Sequence, residues 1–337
     1  MDNQWYFAYE WVCYQRRHAP PNADIWHLRW IWPEVKNALY ASVLHGEYRL
    51  SPMQLIPQGN KQTGTVLWSA SDALILKWVA LHIEQYLPQR KSCMHLRGRG
   101  VRKSLNFVSE AITSGHYRFV HRTDIRGYYE HIIKAQVISL VNRFVKNEVH
   151  RSLVKQYVYY SIEYGGEFHT PQYGIPRGCA LSPLIGGTLL RHIDGYFESL
   201  PTENIYYARY MDDFLLFTRS RWHLRRQICI LAEFFNCSGF ERHPDKTQTG
   251  KITNGFDWLG IWFGADGPSI APRALENHRE RQMRLYEQVR RAGKTPAEIE
   301  MRMQMYEARW RKWADSILVA AGCNDRSTEK NDKASAR

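Results

Sequence analysis

Two adjacent carboxylates, Asp212 and Asp213, interrupt a run of residues that otherwise favours a buried hairpin. The arms on either side, 206–210 and 214–217, are apolar and rich in aromatic residues, which is typical of β-strands. A turn between them would hold the two carboxylates so close that Coulomb repulsion opposes the ionisation of both. Mg²⁺ would remove this repulsion, since it usually takes one or two protein carboxylates and leaves its other positions to water and substrate phosphates. The pair therefore predicts a metal site that acts on phosphates; an exposed hairpin tip without a ligand is the alternative.

A third carboxylate, Asp124, ends another stretch of β-forming residues, and the aromatic pair Tyr128 and Tyr129 follows before a helix begins. Taken alone, such a residue could serve only as the N-cap of the next helix. Only its pairing with Asp212 and Asp213 favours a chemical role for Asp124 over that one. The elements that must position this chemistry are therefore two strand segments that are distant in sequence and converge in the fold.

The tetrapeptide Tyr-Met-Asp-Asp at 210–213, between two hydrophobic arms, resembles the active-site hairpin of reverse transcriptases. Residues 124–129, Asp-Ile-Arg-Gly-Tyr-Tyr, are similar to the first palm motif of the same family. The resemblance implies that Tyr129 is the steric gate, which packs beneath the sugar of the incoming nucleotide and excludes a 2′-hydroxyl. It also implies two Mg²⁺ ions, with Mn²⁺ as a substitute, whose ligands are Asp124, Ile125, Asp212 and Asp213.

Further stretches resemble motifs of this family and occur in its order. A predicted hairpin with Lys61 at its tip resembles the fingers hairpin that closes on the triphosphate. Residues 172–186 resemble the loop that supports the nascent base pair, with Arg177 where the common glutamine would be. Lys246 matches a lysine near the pyrophosphate that can act as general acid, and 256–261 resembles the primer grip. The predicted nucleotide-binding residues are Ile125, Tyr128, Tyr129, Lys61, Arg177 and Gly178.

Residues 91–106 concentrate basic side chains around two glycines. Glycines let backbone N–H groups approach an anion closely, and a helix that begins near Lys103 would add the positive end of its dipole. A solvated basic loop is the alternative, but the segment also resembles the loop that precedes the palm in small bacterial reverse transcriptases. The predicted nucleic-acid-binding residues are Arg97, Arg99, Arg102, Lys103, Trp258, Leu259 and Gly260.

The overall composition fits a nucleic-acid partner. A total of 46 Lys and Arg against 33 Asp and Glu gives a net charge of +13, which indicates a polyanionic ligand. Aromatic residues make up 13% of the chain and could stack on bases, although most would fill cores. No stretch is long and apolar enough to predict a membrane span, and six cysteines without a CxxC pair fit a reducing cytoplasm.

The resemblance implies an α+β fold of the right-hand polymerase type, with an antiparallel palm sheet, fingers and a helical thumb. The predicted parts are an N-terminal helical extension (1–47), fingers (48–118), a palm (119–265) with a helical insertion at about 133–170, a thumb (266–320) and a disordered tail (321–337). Because the chain ends soon after the thumb, we expect a stand-alone polymerase core that relies on a partner RNA.

The predicted function is RNA-directed DNA synthesis on a cognate structured noncoding RNA by two-metal nucleotidyl transfer. The resemblance is to compact bacterial enzymes of the group II intron and retron lineage, and it implies a cytoplasmic enzyme of antiphage defence. Its partners would be RNA, cDNA and dNTPs; the template, the priming mode and the oligomeric state stay open. A retron-type enzyme making branched RNA–DNA is one alternative, and a maturase-like RNA-binding protein is another.

Overall fold

The computed structural model describes residues 1–58, 61–96 and 98–322, and the side chains of 57, 58 and 61–65 are not among those described. The α-helices of this part are α1 (Asn3–Gln15), α2 (Asp24–Leu44), α3 (Ala70–Ile83), α4 (Gly100–Thr113), α5 (Tyr128–His131), α6 (Lys134–Phe144), α7 (Glu148–Val158), α8 (Leu181–Leu189), α9 (Arg191–Glu198), α10 (Arg221–Cys237), α11 (Pro272–Arg291) and α12 (Pro296–Ala320). The β-strands are β1 (Met53–Gln58), β2 (Lys61–Leu67), β3 (Phe119–Asp124), β4 (Ile162–Tyr164), β5 (Glu167–His169), β6 (Ile205–Tyr210), β7 (Asp213–Thr218), β8 (Gln248–Lys251), β9 (Phe256–Trp258), β10 (Ile261–Gly264) and β11 (Gly267–Ile270).

The chain forms two compact units that each combine separate stretches of sequence. The first unit contains 1–90 and 126–195, and the second contains 91–125 and the residues from 196 onward. Residues 91–118, which sequence analysis assigned to the fingers, therefore belong to the unit that holds the hairpin of 210–213. The division into fingers, palm and thumb stays a prediction, and the tail from 323 lies outside the described residues.

The first unit is built around α3 and the sheet β2-β1-β4-β5. Helix α3 is apolar on most of its circumference because α1, α2, α7 and α8 all pack against it. Ser69 caps its N-terminus by accepting the Asp72 N–H at 3.0 Å. The predicted hairpin is confirmed as β1 and β2, with β2 beginning at Lys61.

The second unit is organised by the antiparallel sheet β6-β7-β3-β8. Strand β7 is buried on both faces, which explains its continuous apolar run. On one face Phe214 meets Phe235 of α10, with ring centroids 5.1 Å apart. On the other face Leu215 and Phe217 join a core that includes Trp258 and side chains of α4 and α12.

The C-terminal part of the second unit consists of β11 and two long helices, α11 and α12. Helix α12 packs against α4 and α11, and a capping box of Thr295 and Glu298 fixes its start. The predicted helical character of 266–320 is thus confirmed except at β11. None of the described helices combines the length and apolarity that crossing a membrane requires. The five described cysteines form no disulfide with one another.

Candidate active site

The hairpin between β6 and β7 presents the two adjacent carboxylates. Tyr210 pairs with Asp213 across the hairpin, so Met211 and Asp212 form a two-residue turn. Turns of this length need a positive φ at one or both central positions to match the strand twist. Met211 meets this requirement with φ 56°, and Leu259 is the other described residue besides glycines with a positive φ. The turn is therefore set by backbone conformation that a methionine adopts only under constraint.

The sheet register brings the third carboxylate to the same edge. Strands β3 and β7 are antiparallel, with Asp124 directly opposite Asp213. The N–H of Ile125 donates to the Asp212 carbonyl at 3.2 Å, which ties the end of β3 to the turn. The predicted convergence of three acids that are distant in sequence is therefore what the structure shows within the second unit.

Burial and mutual repulsion perturb these acids. Burial, and then the neighbouring Asp124 charge, raise the pKa of Asp212 to about 7. Burial also raises the pKa of Asp213, although the Arg122 guanidinium opposes this shift. Asp124 is 3% exposed, and its Oδ1 has no hydrogen-bond partner among the described residues. These shifts favour the binding of additional positive charge at the cluster.

Lys246 lies at this cluster, as sequence analysis predicted. It sits in a single 3-10 turn, Pro244–Lys246, and its ammonium donates to Oδ2 of Asp124. The preceding segment is anchored to the same strand, because the His243 N–H donates to the Asp124 carbonyl at 2.8 Å. Lys246 can therefore hold a proton beside the first carboxylate.

Sequence analysis missed a buried cation, Arg122. Its Nη2 donates to Oδ1 of Asp213 at 3.0 Å, and its Nη1 lies 3.6 Å from Oδ2 of Asp257. Arg122 precedes Asp124 by two positions in β3, so both side chains face the same side of the sheet. This strand periodicity was the signal that could have identified it.

Asp124 and Asp212 are the two carboxylates that could bind a metal ion. Among the described residues, no group of three or more His, Cys, Asp or Glu side chains is arranged to hold one. Two carboxylates with an unpartnered oxygen still fit Mg²⁺, whose remaining positions water and phosphate oxygens can fill. The predicted ligand roles of Ile125 and Asp213 stay predictions, and Asp213 already has Arg122 as its cationic partner.

The first unit brings together most of the predicted nucleotide-binding residues. Tyr128 is fully buried and donates to the Gly186 carbonyl at 2.7 Å. A Cβ at Gly186 would lie 3.1 Å from Cε1 of Tyr129, so any larger residue there would press on this ring. The Arg177 guanidinium lies 5.6 Å from the centre of the Tyr129 ring, and Gly178 follows with φ 74°. The predicted contact of the Lys61 side chain lies outside the described residues.

The basic residues before and at the start of α4, which were predicted to bind nucleic acid, differ in their surroundings. Arg99 donates to the carbonyls of Lys91 at 2.8 Å and Cys93 at 3.4 Å, so it braces its own loop. Arg102 and Lys103 are exposed on α4 and remain available to a ligand. The predicted contact of Arg97 lies outside the described residues.

The predicted nucleic-acid contact of the Trp258 side chain is wrong. Trp258 is fully buried and donates through Nε1 to Ser104 Oγ at 3.0 Å, because its indole fills the core under the sheet. Leu259 and Gly260 form the β9–β10 turn, with φ 50° and 89°. An aromatic residue followed by a turn fits this buried role as well as a ligand contact, which is why the sequence pattern misled.

A cavity of about 660 Å³ lies beside this turn, between α11 and α12. Its lining includes His278 and Trp310, whose rings stack with centroids 3.9 Å apart, and the guanidinium-bearing residues Arg281 and Arg309. Aromatic faces next to cations are the combination that binds nucleic acid without sequence preference. The cavity was not predictable from sequence, because its lining residues come from two helices and a turn that only the fold brings together.

Comparisons with known proteins identify the family. A family model described as reverse transcriptase (RNA-dependent DNA polymerase) matches residues 73–263, more than half of the chain. No curated protein matches the chain.

Similar solved structures include apo telomerase from Candida tropicalis truncated from its C-terminal domain, at 12% identity and TM-score 0.44, covering 69% of this chain and 58% of that one. Apo telomerase from Candida tropicalis has 12% identity and TM-score 0.45, covering 69% and 52%. Telomerase from Candida albicans in complex with a TWJ fragment of telomeric RNA has 11% identity and TM-score 0.49, covering 72% and 50%. The match therefore spans 50–58% of the length of those structures.

The predicted α+β right-hand polymerase fold is confirmed, because the matched region contains the antiparallel sheet and the hairpin of acids described above. The chain belongs to the reverse transcriptase family.

Proposed function

We propose that the chain is an RNA-directed DNA polymerase that extends a primer with deoxynucleotides. The observation that carries this proposal is the strand register, which sets Asp124 opposite Asp213 and beside the turn that holds Asp212. A cluster of acids is costly to bury without cations, and the raised pKa of Asp212 indicates that Lys246 and Arg122 compensate it only in part. The chain that carries it has a net charge of +13. Metal-assisted chemistry on a polyanion explains both features.

Asp124 and Asp212 would hold the metal, Mg²⁺ or its substitute Mn²⁺, with Asp213 and the Ile125 backbone as the further predicted ligands. When bound, such ions supply a lowered pKa for an attacking hydroxyl and neutralise charge on the phosphates. Lys246 would hold a proton next to Asp124 and deliver it to the departing pyrophosphate. Arg122 favours the ionised form of Asp213 and orients its carboxylate.

The substrates would be an RNA template, a primer and dNTPs, with cDNA as product. Arg281 and Arg309 beside the stacked rings of His278 and Trp310 would contact the nucleic acid backbone and bases. Arg102 and Lys103 would add phosphate contacts from the exposed face of α4. Tyr129, Arg177 and Gly178 would surround the incoming nucleotide, with Tyr129 excluding a ribose. The buried Tyr128 would support Tyr129 from behind, since their ring centroids are 5.3 Å apart.

The finer assignment rests on the motif resemblance. We infer a compact bacterial reverse transcriptase that works in the cytoplasm, copies a structured noncoding RNA and serves antiphage defence. A retron-type enzyme is the second candidate, but the Val-Thr-Gly segment common near the retron thumb does not occur in 266–320. A maturase-like protein would not need the three acids that the register brings together.

Primer extension by the full chain on an RNA template with a DNA primer and Mg²⁺ tests the proposal. Asp212→Asn should lower dNTP incorporation by about 10³-fold, because the variant removes a carboxylate that acts on the transition state. Binding of the RNA–primer duplex should change little. Asp266→Asn, at an exposed acid of the same unit, is the matched control and should retain activity. Undiminished synthesis by Asp212→Asn would refute the polymerase assignment.

A further inference from the structure

The turn that presents Asp212 depends on a backbone conformation that methionine disfavours. Met211 has φ 56°, in the left-handed region where a Cβ crowds the backbone. Such conformations persist only where the surrounding structure holds them, and they cluster at functional sites. Neighbouring groups must therefore hold Met211 in this conformation.

Both backbone polar groups of Met211 are bound by side chains. Its N–H donates to Nδ1 of His95 at 2.9 Å, and its carbonyl accepts from Nη1 of Arg209 at 2.7 Å. Arg209 is fully buried, so its position is fixed by packing. Because Nδ1 of His95 is an acceptor here, the neutral ring carries its proton on Nε2. Arg209 lies in β6 beside the turn, whereas His95 comes from a distant segment.

The segment that carries His95 is fixed against β6. The Met94 N–H donates to the Arg209 carbonyl at 2.7 Å, and the Arg209 N–H donates to the Ser92 carbonyl at 2.9 Å. The segment then folds back on itself, since the Gly100 N–H donates to the Met94 carbonyl at 2.7 Å. These bonds leave His95 little freedom to move away from the turn.

We propose that His95 is a positioning residue that holds Met211 in its left-handed conformation and thereby places the Asp212 carboxylate against Asp124. The composition of the glycine-rich segment suggests a phosphate site, but its residues 92–100 hold the catalytic turn instead. We call the contact of His95 with Met211 the bracket. The effect on catalysis rests on the proposed polymerase function, whereas the effect on the turn does not.

Three substitutions separate the acceptor atom from the bulk of the ring. Asparagine places an amide oxygen at the same number of bonds from Cβ as Nδ1, so His95→Asn can accept the Met211 N–H. Glutamine places its amide one bond further out, and phenylalanine keeps the ring but has no acceptor. His116→Gln is the matched control, because the half-buried His116 contacts the Glu203 carbonyl and lies outside the site.

Steady-state primer extension gives the first readout. His95→Phe and His95→Gln should lower kcat by about tenfold to a hundredfold, with dNTP KM and duplex affinity nearly unchanged, because a misplaced carboxylate affects the reacting geometry rather than binding. His95→Asn should recover most of the loss. A merely structural role predicts instead that melting temperature and duplex affinity fall together and that asparagine and glutamine behave alike, and that outcome would overturn the proposal.

Hydrogen exchange at Met211 gives a readout independent of activity. Selective ¹⁵N-methionine labelling reports on the 8 methionines, and Met211→Leu assigns the Met211 amide. The amide should exchange slowly in wild type, His116→Gln and His95→Asn, and at least about tenfold faster in His95→Gln and His95→Phe. Equal exchange in all variants would refute the bracket. If the Met211 amide exchanges faster in the His95 variants but the wild-type protein makes no DNA, the role of His95 in the turn is supported and the polymerase assignment is refuted.

Discussion

Asp124 and Asp213 are direct cross-strand partners at the end of β3 and the start of β7. Like charges in this arrangement destabilise a sheet, because directly opposite side chains lie close together. The structure offsets the repulsion with one cation on each acid, Lys246 on Asp124 and Arg122 on Asp213. Asp212, whose pKa rises to about 7, is the acid with the least compensation.

Removing the Arg122 guanidinium should destabilise the second unit. Arg122→Leu leaves Asp213 without its cationic partner in a largely buried place, which should lower the free energy of unfolding by about 2–3 kcal/mol. Urea denaturation measures this change. The double variant Arg122→Leu/Asp213→Asn should recover part of the loss, because the uncompensated charge is gone. Additive effects of the two substitutions would show that the pair is not coupled.

The raised pKa of Asp212 predicts a pH dependence of stability in metal-free protein. An acid with a higher pKa in the folded state binds its proton more tightly when folded. Its contribution to the free energy of unfolding is therefore full below pH 3.8 and is lost as the pH rises through about 7. The protein without added metal should therefore lose about 1–2 kcal/mol between pH 5 and pH 8 from this group, a value reduced for solvent screening.

Thermal unfolding at several pH values measures this dependence. Asp212→Asn should flatten it, since the asparagine does not titrate. Mg²⁺ should raise the melting temperature at pH 8 more than at pH 5, because the ion competes with the proton for the same oxygens. A variant with the same pH profile as wild type would contradict the assignment of the shift to Asp212.

The acids at the site were predictable from sequence, because one strand pattern ends on Asp124 and another begins at Asp213, next to Asp212. Lys246 was predictable as well, through the motif that contains it, whereas the partners of Arg122 and the contact of His95 were not. Arg122 was hidden in a strand where a buried arginine is unfavourable without partners, and its partners Asp213 and Asp257 come from β7 and β9. His95 meets Met211 only through tertiary folding, so no local pattern links them.

The same limit explains the wrong prediction for Trp258. Whether an aromatic residue next to a glycine turn faces a ligand or the core depends on what packs beneath it, which here is Ser104 and the α4–α12 layer. The two compact units were also unpredictable, because each combines two stretches that are separated in the sequence by a stretch of the other unit. Sequence patterns report local elements well and long-range grouping poorly.

Asp2 should be a stability determinant of the first unit. It caps α1 by accepting the Trp5 N–H at 2.7 Å, and its side chain also contacts Trp78, His82 and Tyr40 from α3 and α2. Asp2→Ala should lower the free energy of unfolding by about 2–4 kcal/mol, because the cap is lost and the buried Trp78 N–H loses its acceptor. Glu10→Ala, at an exposed position of α1, is the control for urea denaturation and should have little effect.

The contribution of Asp2 should also depend on pH. Burial raises the pKa of Asp2, but hydrogen bonds from Trp78, Trp5 and His82 outweigh it and leave the pKa below 3.8. A lowered pKa means that the stabilisation is present above 3.8 and is lost as pH falls through the folded value. The difference between wild type and Asp2→Ala should therefore shrink at low pH, and a constant difference would assign the effect to packing alone.

Tyr129 should control sugar selection through the position of its ring. Gly186 leaves room for the ring, and the Arg177 guanidinium lies over it, so the phenol is held in one place within the first unit. A fixed ring can exclude a 2′-hydroxyl by steric overlap, and differences of one small group are worth about 10–100-fold in discrimination. Tyr129→Ala should therefore raise rNTP incorporation relative to dNTP by that factor in primer extension.

Two variants serve as controls for this measurement. Tyr129→Phe keeps the ring and should keep the selectivity. Tyr159→Ala, at an exposed tyrosine of the same unit, should behave like wild type. Unchanged discrimination in Tyr129→Ala would show that another residue forms the gate.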